Sequence, residues 1–503
     1  MKKIILATVN ARYIHTSIGL RYLYANLSEL KEQSAILEFI KSDKIEDMAE
    51  AILKENPKII GLSVYIWNAV EIERLVQLLK KVASDKTIIL GGPEVSYFPF
   101  RLNFDSADYI IQGEGDIFFY QLCKELLEGN APSQKVLKAE AVELKNIELP
   151  YDYYTEDDIK NRVIYFEVSR GCPFSCEFCL SSIDKLVRYF DVEIILNHLE
   201  KFWQRGVRKI KFIDRTFNLN FEVVSQILDF FLSKNPPYLI HFEVIPEHFP
   251  KSVMEKLKLF PPASLQLEVG IQTLKPEIAN NISRRINVEK IFKNISFLEN
   301  ETNTHIHFDL IIGLPGESLK SFGENLDTLM KLTDAEIQIG ILKKLSGTDL
   351  YRHDEKYGMV YSDSPPYEIL RNNLISFSEM QKMKRLARFW DLYYNSGNFR
   401  KSVKLIWDDT DVYLGFYEFS EWVYENTSST WQISLNRLAE SLFNYLTEVK
   451  NYDKQKIADL LVQDILVFAG RRLPSFLRDI SSEIPVIEKR IISRKNKRQI
   501  KHK

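Results

Sequence analysis

The sequence predicts an α/β fold in three parts: an N-terminal doubly wound, Rossmann-like parallel sheet, a partial (β/α)6 TIM barrel and a mainly helical C-terminal domain. Two observations predict the sheets. Short apolar runs indicate strands buried on both faces, and helical periodicity separates consecutive runs. A third observation predicts the helical part, because strand signals give way to aromatic, helix-like segments from about residue 365.

Composition is that of a globular protein with sizeable cores. The 503 residues are 45% hydrophobic and 27% charged, with a net charge of −2. This length suggests three domains, and the balanced charge shows no overall nucleic-acid-binding footprint. We place the first domain at 1–130, a linker at 131–160, the barrel at 161–355, the helical domain at 365–490 and a basic tail at 491–503.

The first domain alternates strands with helices from its beginning. The apolar start stops at Asn10 and Arg12, too early for a signal peptide, so we interpret it as a strand. Five strands are predicted, at 3–9, 35–40, 59–63, 87–90 and 109–112. Four helices are predicted, at 18–30, 45–55, 69–83 and 116–128. Ligands of such sheets bind at the carboxyl ends of the strands.

The barrel is predicted from six further strands, at 163–168, 209–213, 239–244, 265–269, 305–312 and 336–342. Their spacing leaves room for one crossover helix in each interval, as a β/α barrel requires. Functional side chains of barrels lie where the strands end. A cysteine-containing loop directly follows the first of these strands, which makes it a candidate site.

The helical domain offers aromatic segments and a predicted helix at 438–446, without a repeat, metal motif or nucleophile signature. The basic residues 489–503 are interpreted as a solvated tail, with contact to an acidic partner or RNA as the alternative. No stretch has the length of a membrane span. Clustered cysteines without an export signal favour a reducing cytoplasm.

Three of the four cysteines lie close together, at Cys172, Cys176 and Cys179. Thiolates in this C-x-x-x-C-x-x-C spacing suit an iron–sulfur cluster, and a cubane of four irons would then have one iron without a protein ligand. A zinc site completed by a histidine such as His198 is the alternative. The fourth cysteine, Cys123, falls in a predicted amphipathic helix and is interpreted as a small core residue.

This spacing, with the aromatic Phe178 just before the last cysteine, resembles the radical S-adenosylmethionine (SAM) enzymes. The resemblance implies a [4Fe–4S] cluster whose open iron is chelated by the amino and carboxylate groups of SAM. It further implies that one-electron reduction cleaves SAM to a 5′-deoxyadenosyl radical, with an electron donor such as flavodoxin or ferredoxin.

Small and polar residues follow the predicted strands of the first domain. Glycines there let a large planar ligand approach the backbone, and a G-x-G-x-x-G dinucleotide fingerprint is missing. For Gly91-Gly92-Pro93 alone, an ordinary turn is the alternative. The candidate ligand-binding residues are Asn10, Ser63, Tyr65, Gly91, Gly92, Pro93, Glu94, Gly113, Glu114 and Gly115.

Together with the cysteine loop, these loops resemble the cobalamin-binding domain found before many radical SAM domains. The resemblance covers about residues 1–350, and the remainder looks like the uncharacterised extension that some relatives carry. A D-x-H-x-x-G motif, which would supply an axial histidine, is not met around His15. We therefore expect base-off cobalamin and interpret His15 as a hydrogen-bonding loop residue.

Polar residues also recur at the predicted barrel strand ends, and the resemblance assigns the glycine-bearing ends to SAM. We expect Phe178 near the adenosyl group and Arg215 on the SAM carboxylate, because arginine forks to carboxylates. A surface pair with Asp214 is the alternative for Arg215. The remaining candidate SAM contacts are Glu243, Glu268, Gly270 and Gln272.

The sequence thus predicts an enzyme that combines the cluster, SAM and cobalamin. Among the relatives, methylation of an unactivated carbon is the commonest reaction, so we expect it here on an unknown substrate. Radical cyclisation or rearrangement without methyl transfer is the alternative. Methylthiotransfer is disfavoured because only Cys123 remains for a second cluster, and a non-enzymatic cobalamin or redox sensor because the open-iron spacing suits chemistry. Membrane and nucleic-acid partners are not expected.

Overall fold

The computed structural model describes residues 2–468 and 470–481. The chain divides into two compact units. The first contains Met1–Arg215, Lys343–Tyr351 and Tyr361–Glu368, and the second contains Thr216–Leu342, Arg352–Val360 and Ile369–Lys503. The predicted basic tail at 491–503 lies outside the described residues, as does the end of the predicted helical domain.

The first unit contains a six-stranded parallel sheet. Its strands are β1 (Ile4–Asn10), β2 (Ser34–Ile40), β3 (Ile59–Ser63), β4 (Thr87–Gly91), β5 (Tyr109–Gln112) and β6 (Val136–Lys138). They are arranged in the order β2-β1-β3-β4-β5-β6. The chain reverses direction across the sheet between β1 and β3, which creates the switch point where ligands of open α/β sheets bind.

Helices cover both faces of this sheet. They are α1 (Ile18–Ala25), α2 (Ile45–Leu53), α3 (Ala69–Val82) and α4 (Phe118–Glu128). Side chains of α2 and α3 share one buried apolar cluster with the sheet, whereas those of α1 and α4 share another. The doubly wound architecture predicted from the sequence is confirmed.

The first helix is shorter than predicted. It ends at Ala25 because the Asn26 side chain donates a hydrogen bond to the Tyr22 carbonyl (2.9 Å) and another to the Glu148 carbonyl (3.0 Å). Ser28, at φ 47°, then starts a 3-10 segment. An asparagine that bonds its own helix competes with further helical turns.

The segment 131–160, predicted as a linker, is partly structured and packed. It contributes β6, whose three residues are too few for a strand pattern to show in the sequence. It also begins α5 (Glu156–Asn161). Within α5, Asp158 is buried and forms a 2.9 Å ion pair with Arg21 of α1.

The first unit continues into the beginning of the barrel series. Its elements are β7 (Ile164–Phe166), β8 (Ser169–Arg170), β9 (Arg188–Tyr189), α6 (Val192–Gln204) and β10 (Lys209–Phe212). Strands β7 and β10 pair in parallel. Strands β8 and β9 pair antiparallel and enclose the cysteine-containing loop between them.

The second unit continues the β/α alternation. Its elements are α7 (Phe221–Leu232), β11 (Leu239–Val244), α8 (Lys251–Leu257), β12 (Leu265–Gln272), α9 (Pro276–Asn281), α10 (Val288–Glu301), β13 (His305–Ile312), α11 (Leu319–Leu332) and β14 (Glu336–Ile341). Strands β11 to β14 pair in parallel in chain order. All strands predicted from the sequence are therefore present, and β12 extends beyond its predicted end.

The rest of the described chain is mainly helical, as predicted. It contains α12 (Asp354–Tyr357), β15 (Val360–Tyr361), β16 (Ile369–Arg371), α13 (Phe377–Trp390), α14 (Val412–Thr427), α15 (Leu435–Asn444), α16 (Lys454–Leu466) and α17 (Ser475–Ile480). Single π-helical turns, Asp391–Asn395 and Tyr445–Val449, follow α13 and α15. None of the helices in the described part of the chain is both long and apolar enough to cross a membrane.

Candidate cofactor site

A cavity of 390 Å³ opens at the carboxyl ends of the first sheet. Strands β3, β4 and β5 and the loops after them form its floor, and helices α1 and α4 contribute Tyr22, Leu23 and Phe119 to its walls. The segment after β7 closes one side through Glu167 and Arg170. The cavity thus lies within the first unit, at the place where open parallel sheets bind ligands.

Most of the residues predicted to bind cobalamin line this cavity. They are Ser63, Tyr65, Gly91, Gly92, Pro93, Gly113, Glu114 and Gly115. Asn10 and Glu94 do not line it. The Asn10 amide donates to the His15 carbonyl (3.0 Å) and to Glu38 (3.1 Å), and Glu94 accepts a hydrogen bond from the Tyr367 hydroxyl. Burial raises the pKa of Glu94. Both side chains are therefore engaged in supporting the loops.

Glycines at two positions keep the cavity open. Gly92 has φ 110°, and a Cβ there would lie 2.6 Å from the Val64 carbonyl oxygen. Gly61 lies on the floor, where a Cβ would come within 2.9 Å of the Phe119 ring. Only glycine fits both positions without displacing its neighbours.

Sequence reasoning missed the cavity residues that come from helices and from the neighbouring β/α segment. Tyr22 and Phe119 lie on buried helix faces, and such residues ordinarily signal core packing. Burial raises the pKa of Tyr22 well above its ordinary value, so its hydroxyl stays protonated. Arg170 could have been suspected only from its position directly before the cysteine loop.

The cysteine loop is held in a compact conformation by its own backbone. The Cys172 N–H donates to the Asp184 carbonyl (2.8 Å), and the Cys179 N–H donates to the Cys176 carbonyl (3.0 Å). The Ser182 hydroxyl lies within hydrogen-bonding distance of the carbonyls of Cys176 (2.9 Å) and Cys179 (2.7 Å). None of the three cysteines forms a disulfide. A short thiol-rich loop with its backbone already ordered suits ligation of a cluster.

Two arginines connect this loop to the loop after β5. Arg170 donates two hydrogen bonds to Asp116 (2.8 and 3.1 Å), and its guanidinium lies 4.8 Å from the centroid of the Tyr22 ring. Arg188 donates to Glu114 (3.1 Å) and to Asp184 (3.0 Å). Bidentate arginine–carboxylate pairs fix geometry as well as charge. The predicted cobalamin loop and the predicted cluster loop are therefore coupled.

Asp214, at the end of β10, supports the start of the cysteine loop. It is buried and accepts hydrogen bonds from the Val168 N–H (3.1 Å) and from the Ser169 N–H and hydroxyl (2.6 Å each). Burial raises the pKa of Asp214 to about 7, despite these donors. Its neighbour Arg215, a predicted SAM contact, is exposed. Phe178, predicted beside the adenosyl group, is half-buried.

The other predicted SAM contacts lie on one sheet of the second unit. Glu243 of β11 is directly opposite Glu268 of β12 in the strand register. A register shift falls between Gly270 and Gln272, and Gln272 has φ 67°. Bulges of this kind re-aim side chains next to functional sites. The Glu268 carboxylate also lies 3.1 Å from the ring Nε2 of His241.

The two remaining sequence candidates for ligation lie apart from the cavity lining. His15 Nδ1 forms a 2.6 Å hydrogen bond with the Tyr165 hydroxyl, and burial lowers the pKa of His15. His198 of α6, considered for a zinc site, packs against the Tyr151 ring (centroids 5.2 Å apart). Cys123 is fully buried in the α1/α4 core, which confirms its interpretation as a core residue.

Family models match three successive segments of the chain. A B12 binding domain model matches residues 4–122, and a Radical SAM superfamily model matches residues 166–329. The chain therefore combines a B12 binding domain with a radical SAM domain. A third model, for a protein family of unknown function (DUF4080), matches residues 355–502. The cofactors are those of the two matched domains: cobalamin, a [4Fe–4S] cluster and SAM.

Two curated relatives of the chain carry methyltransferase names. An uncharacterized methyltransferase of Pyrococcus horikoshii is 23% identical over 67% of this chain and 78% of its own length. The cobalamin-dependent radical SAM methyltransferase TokK of Streptomyces tokunonensis is 23% identical over 59% of this chain. The alignment spans 49% of TokK, about half its length.

Among solved structures, the cobalamin-dependent SAM radical enzyme OxsB, with aqua-cobalamin and SAM bound, matches with a TM-score of 0.61. The match covers 93% of this chain and 79% of OxsB at 13% identity. At this identity the likeness establishes a shared fold.

The residues of the two matched domains fit these cofactors. The open glycine floor beside Gly61 and Gly92 accepts a flat group, and the cavity is largely apolar at Tyr22, Leu23 and Phe119. The cavity volume of 390 Å³ lies within the usual range of ligand and cofactor sites, about 300–1,000 Å³. Three thiols in an ordered loop match a cluster that leaves one iron open.

Proposed function

We propose that the chain is a cobalamin-dependent methyltransferase that acts on an unactivated carbon of an unidentified substrate. One observation supports this function most directly. A single cavity of the first unit is lined both by the glycine loops after β4 and β5 and by Arg170, two residues before Cys172. The predicted cobalamin loops therefore adjoin the segment that leads into the cysteine loop, which supports a reaction that uses both cofactors.

In this proposal each loop has a defined task. Cys172, Cys176 and Cys179 hold the cluster. The residues Ser63, Tyr65, Gly91, Gly92, Pro93, Gly113, Glu114 and Gly115 hold cobalamin, with Asn10 and Glu94 supporting the loops. The SAM contacts are Phe178, Arg215, Glu243, Glu268, Gly270 and Gln272.

The protein's own contribution is positioning and exclusion of water. Arg170 fixes Asp116, so the loop after β5 keeps one distance from the cysteine loop. Tyr22, Leu23 and Phe119 keep the cavity apolar. When bound, the cofactors supply radical generation and methyl transfer, and the protein arranges them and keeps side reactions out.

The proposed reaction balances with two SAM molecules and two electrons. One SAM would supply the methyl group, with cobalamin as the carrier, and would leave as S-adenosylhomocysteine. The other is cleaved to methionine and a 5′-deoxyadenosyl group, which leaves as 5′-deoxyadenosine after taking the hydrogen of the substrate C–H bond. The substrate carbon gains the methyl group. A low-potential donor such as flavodoxin or ferredoxin supplies the electrons.

The test uses the full chain, reconstituted anaerobically with iron, sulfide and cobalamin, and given a reductant and SAM with a trideuterated methyl group. With a metabolite extract as the substrate source, we expect a product three mass units heavier than the one made from ordinary SAM. S-adenosylhomocysteine and 5′-deoxyadenosine should accumulate in equal amounts. The control is the Cys172→Ala, Cys176→Ala, Cys179→Ala chain, which should bind cobalamin but release no 5′-deoxyadenosine.

Radical cyclisation or rearrangement remains the second candidate function, because the cluster loop alone supports it. If substrate-dependent 5′-deoxyadenosine forms while S-adenosylhomocysteine and label transfer stay absent, methyl transfer is wrong.

A further inference from the structure

Two histidines and a glutamate converge on the sheet of the second unit. The Nε2 atoms of His305 and His307 lie 2.8 Å apart. Glu336 Oε1 lies 3.2 Å from the first nitrogen and 3.4 Å from the second. The exposed fractions of the three side chains are 3%, 14% and 2%. None of these residues has a role in the proposed methyl transfer.

The strand geometry explains why these side chains meet. His305 and His307 are alternate residues of β13, so both side chains project from the same face of the sheet. Glu336 of β14 is directly opposite His307 in the register. Neighbouring strands lie about 4.8 Å apart, so a glutamate and an imidazole on adjacent strands can reach one point.

The Gln266 side-chain amide also lies beside this triangle, with its Nε2 atom 3.3 Å from both ring nitrogens of His307. A neutral imidazole carries one N–H, and two Nε2 atoms that face each other can share only one proton between them. That proton can point at the partner nitrogen or at Glu336, but one linear bond cannot serve both acceptors. Three electron-pair donors therefore face a common point.

We propose that His305, His307 and Glu336 bind a divalent transition-metal ion such as zinc. Two imidazoles and a carboxylate are a common ligand set for such ions. An ion about 2.1 Å from each of the three atoms would lie about 1 Å outside their plane. A tetrahedral or octahedral ion lies at about this height above the plane of three of its ligands. At least one coordination position of the ion then remains open.

A cavity of 230 Å³ adjoins this site. His307 and Glu336 line it together with Gln338 of β14 and Asp391 of the π-helical turn after α13. This cavity gives the ion room for bound water, and Asp391 places a second carboxylate in it. Isolated π-helical turns inside helices frequently mark functional sites.

The position in the fold indicates that the ion stabilises the second unit. His305 and Glu336 are the first residues of their strands, whereas barrel chemistry takes place at the opposite ends. Beside the site, the Asn395 amide donates to the Ile337 carbonyl (2.9 Å) and accepts from its N–H (3.0 Å). An ion here would strengthen the junction between β14 and the helical segment that follows.

The test is zinc binding by the untagged full chain with its cluster reconstituted, so that the cysteines are occupied. Competition with a chromophoric zinc chelator should show one zinc per chain. Zinc K-edge absorption should show nitrogen and oxygen ligands and no sulfur. His307→Gln and Glu336→Gln should each weaken zinc binding about 100-fold or more, while circular dichroism shows that the variants remain folded. Saturating zinc should raise the Tm of the unaltered chain and leave that of the variants unchanged.

The matched control is His241→Gln. His241 also pairs with a glutamate on the neighbouring strand (Glu268, 3.1 Å). It does not belong to the group of His305, His307 and Glu336. This variant should keep full zinc affinity. Absence of zinc from the unaltered chain, or equal zinc affinity in all three variants, would overturn the proposal and leave a hydrogen-bonded cluster.

Discussion

The guanidinium of Arg170 holds the carboxylate of Asp116 through two hydrogen bonds of 2.8 and 3.1 Å, across 54 positions of sequence. Both side chains are largely buried, at 13% and 8% exposure. Arg170 also pairs with Glu167 at 3.2 Å and with Glu114 at 3.5 Å, so one cation lies beside three carboxylates. This arrangement connects the loop before the cysteines to the loop after β5.

Arg170→Ala should therefore destabilise the first unit and weaken cobalamin binding. Removing one partner of a buried pair leaves an uncompensated charge, which costs about 3–5 kcal/mol. Urea unfolding and cobalamin absorbance titration measure the two effects. Lys201→Ala is the control, because it breaks an exposed pair with Asp152 and should cost less than about 1 kcal/mol. Equal losses in the two variants would show that Arg170 has no special role.

The strands were predictable because their signal is local. A continuous apolar run such as Ile59–Ser63 indicates a strand whose side chains are buried on both faces of a parallel sheet. A run of five residues is enough to show this. Strand β6 was missed because three residues carry no pattern. The end of α1 was missed because the Asn26 side chain bonds to Glu148, far along the chain.

The site was predictable only in part, for the same reason. Glycines such as Gly92 and the cysteine loop are visible in the sequence because their residue types are unusual at those spacings. Tyr22 and Phe119 resemble ordinary core residues of helices, and nothing local indicates that they line a cavity. The pairing of Arg170 with Asp116 depends on how distant segments meet.

Gly92→Ala should abolish or strongly weaken cobalamin binding. A methyl group would lie 2.6 Å from the Val64 carbonyl oxygen, at φ 110°, so the loop after β4 must move. Strain of this kind costs about 1–3 kcal/mol. Gly129→Ala is the matched control, because Gly129 also has a positive φ (89°) but no atom within 4 Å of the added Cβ. It should lose stability and keep cobalamin affinity.

Cys172→Ala, Cys176→Ala and Cys179→Ala should each prevent formation of a stable [4Fe–4S] cluster. After anaerobic reconstitution the unaltered chain should contain about four irons, with charge-transfer absorbance that the variants lack. Cys123→Ala is the control, because Cys123 is buried in the core beside Phe119 and should cost stability without loss of iron. Stoichiometric zinc in place of iron in the unaltered chain would contradict this assignment.

The buried carboxyl of Glu317 should make stability fall as pH rises. Burial raises the pKa of Glu317 to about 8, whereas an unfolded glutamate titrates near 4.3. Between these values the folded chain binds the proton and the unfolded chain does not. The free energy of unfolding therefore decreases from about pH 4.3 to about pH 8, by a total on the order of 5 kcal/mol.

Glu317→Gln isolates this contribution. The amide oxygen can still accept from the Gly313 N–H (2.9 Å in the glutamate) without a charge. The variant should gain stability relative to the unaltered chain as pH rises from 5 to 8, measured by urea unfolding. Glu277→Gln, at an exposed position, controls for removal of a carboxylate. A constant difference between Glu317→Gln and the unaltered chain across this range would mean that Glu317 stays charged.

His15 should not ligate the cobalt of bound cobalamin. Its Nδ1 is engaged by the Tyr165 hydroxyl at 2.6 Å, and the cavity lining does not include it. Electron paramagnetic resonance of the bound cobalt(II) form decides this point when the protein histidines carry ¹⁵N. We expect spectra identical to those of the unlabelled protein, and no change in His15→Ala. Tyr165→Phe should lower stability by about 1 kcal/mol through the lost hydrogen bond, again without spectral change. Nitrogen splitting that alters with the ¹⁵N label and disappears in His15→Ala would identify His15 as the axial ligand.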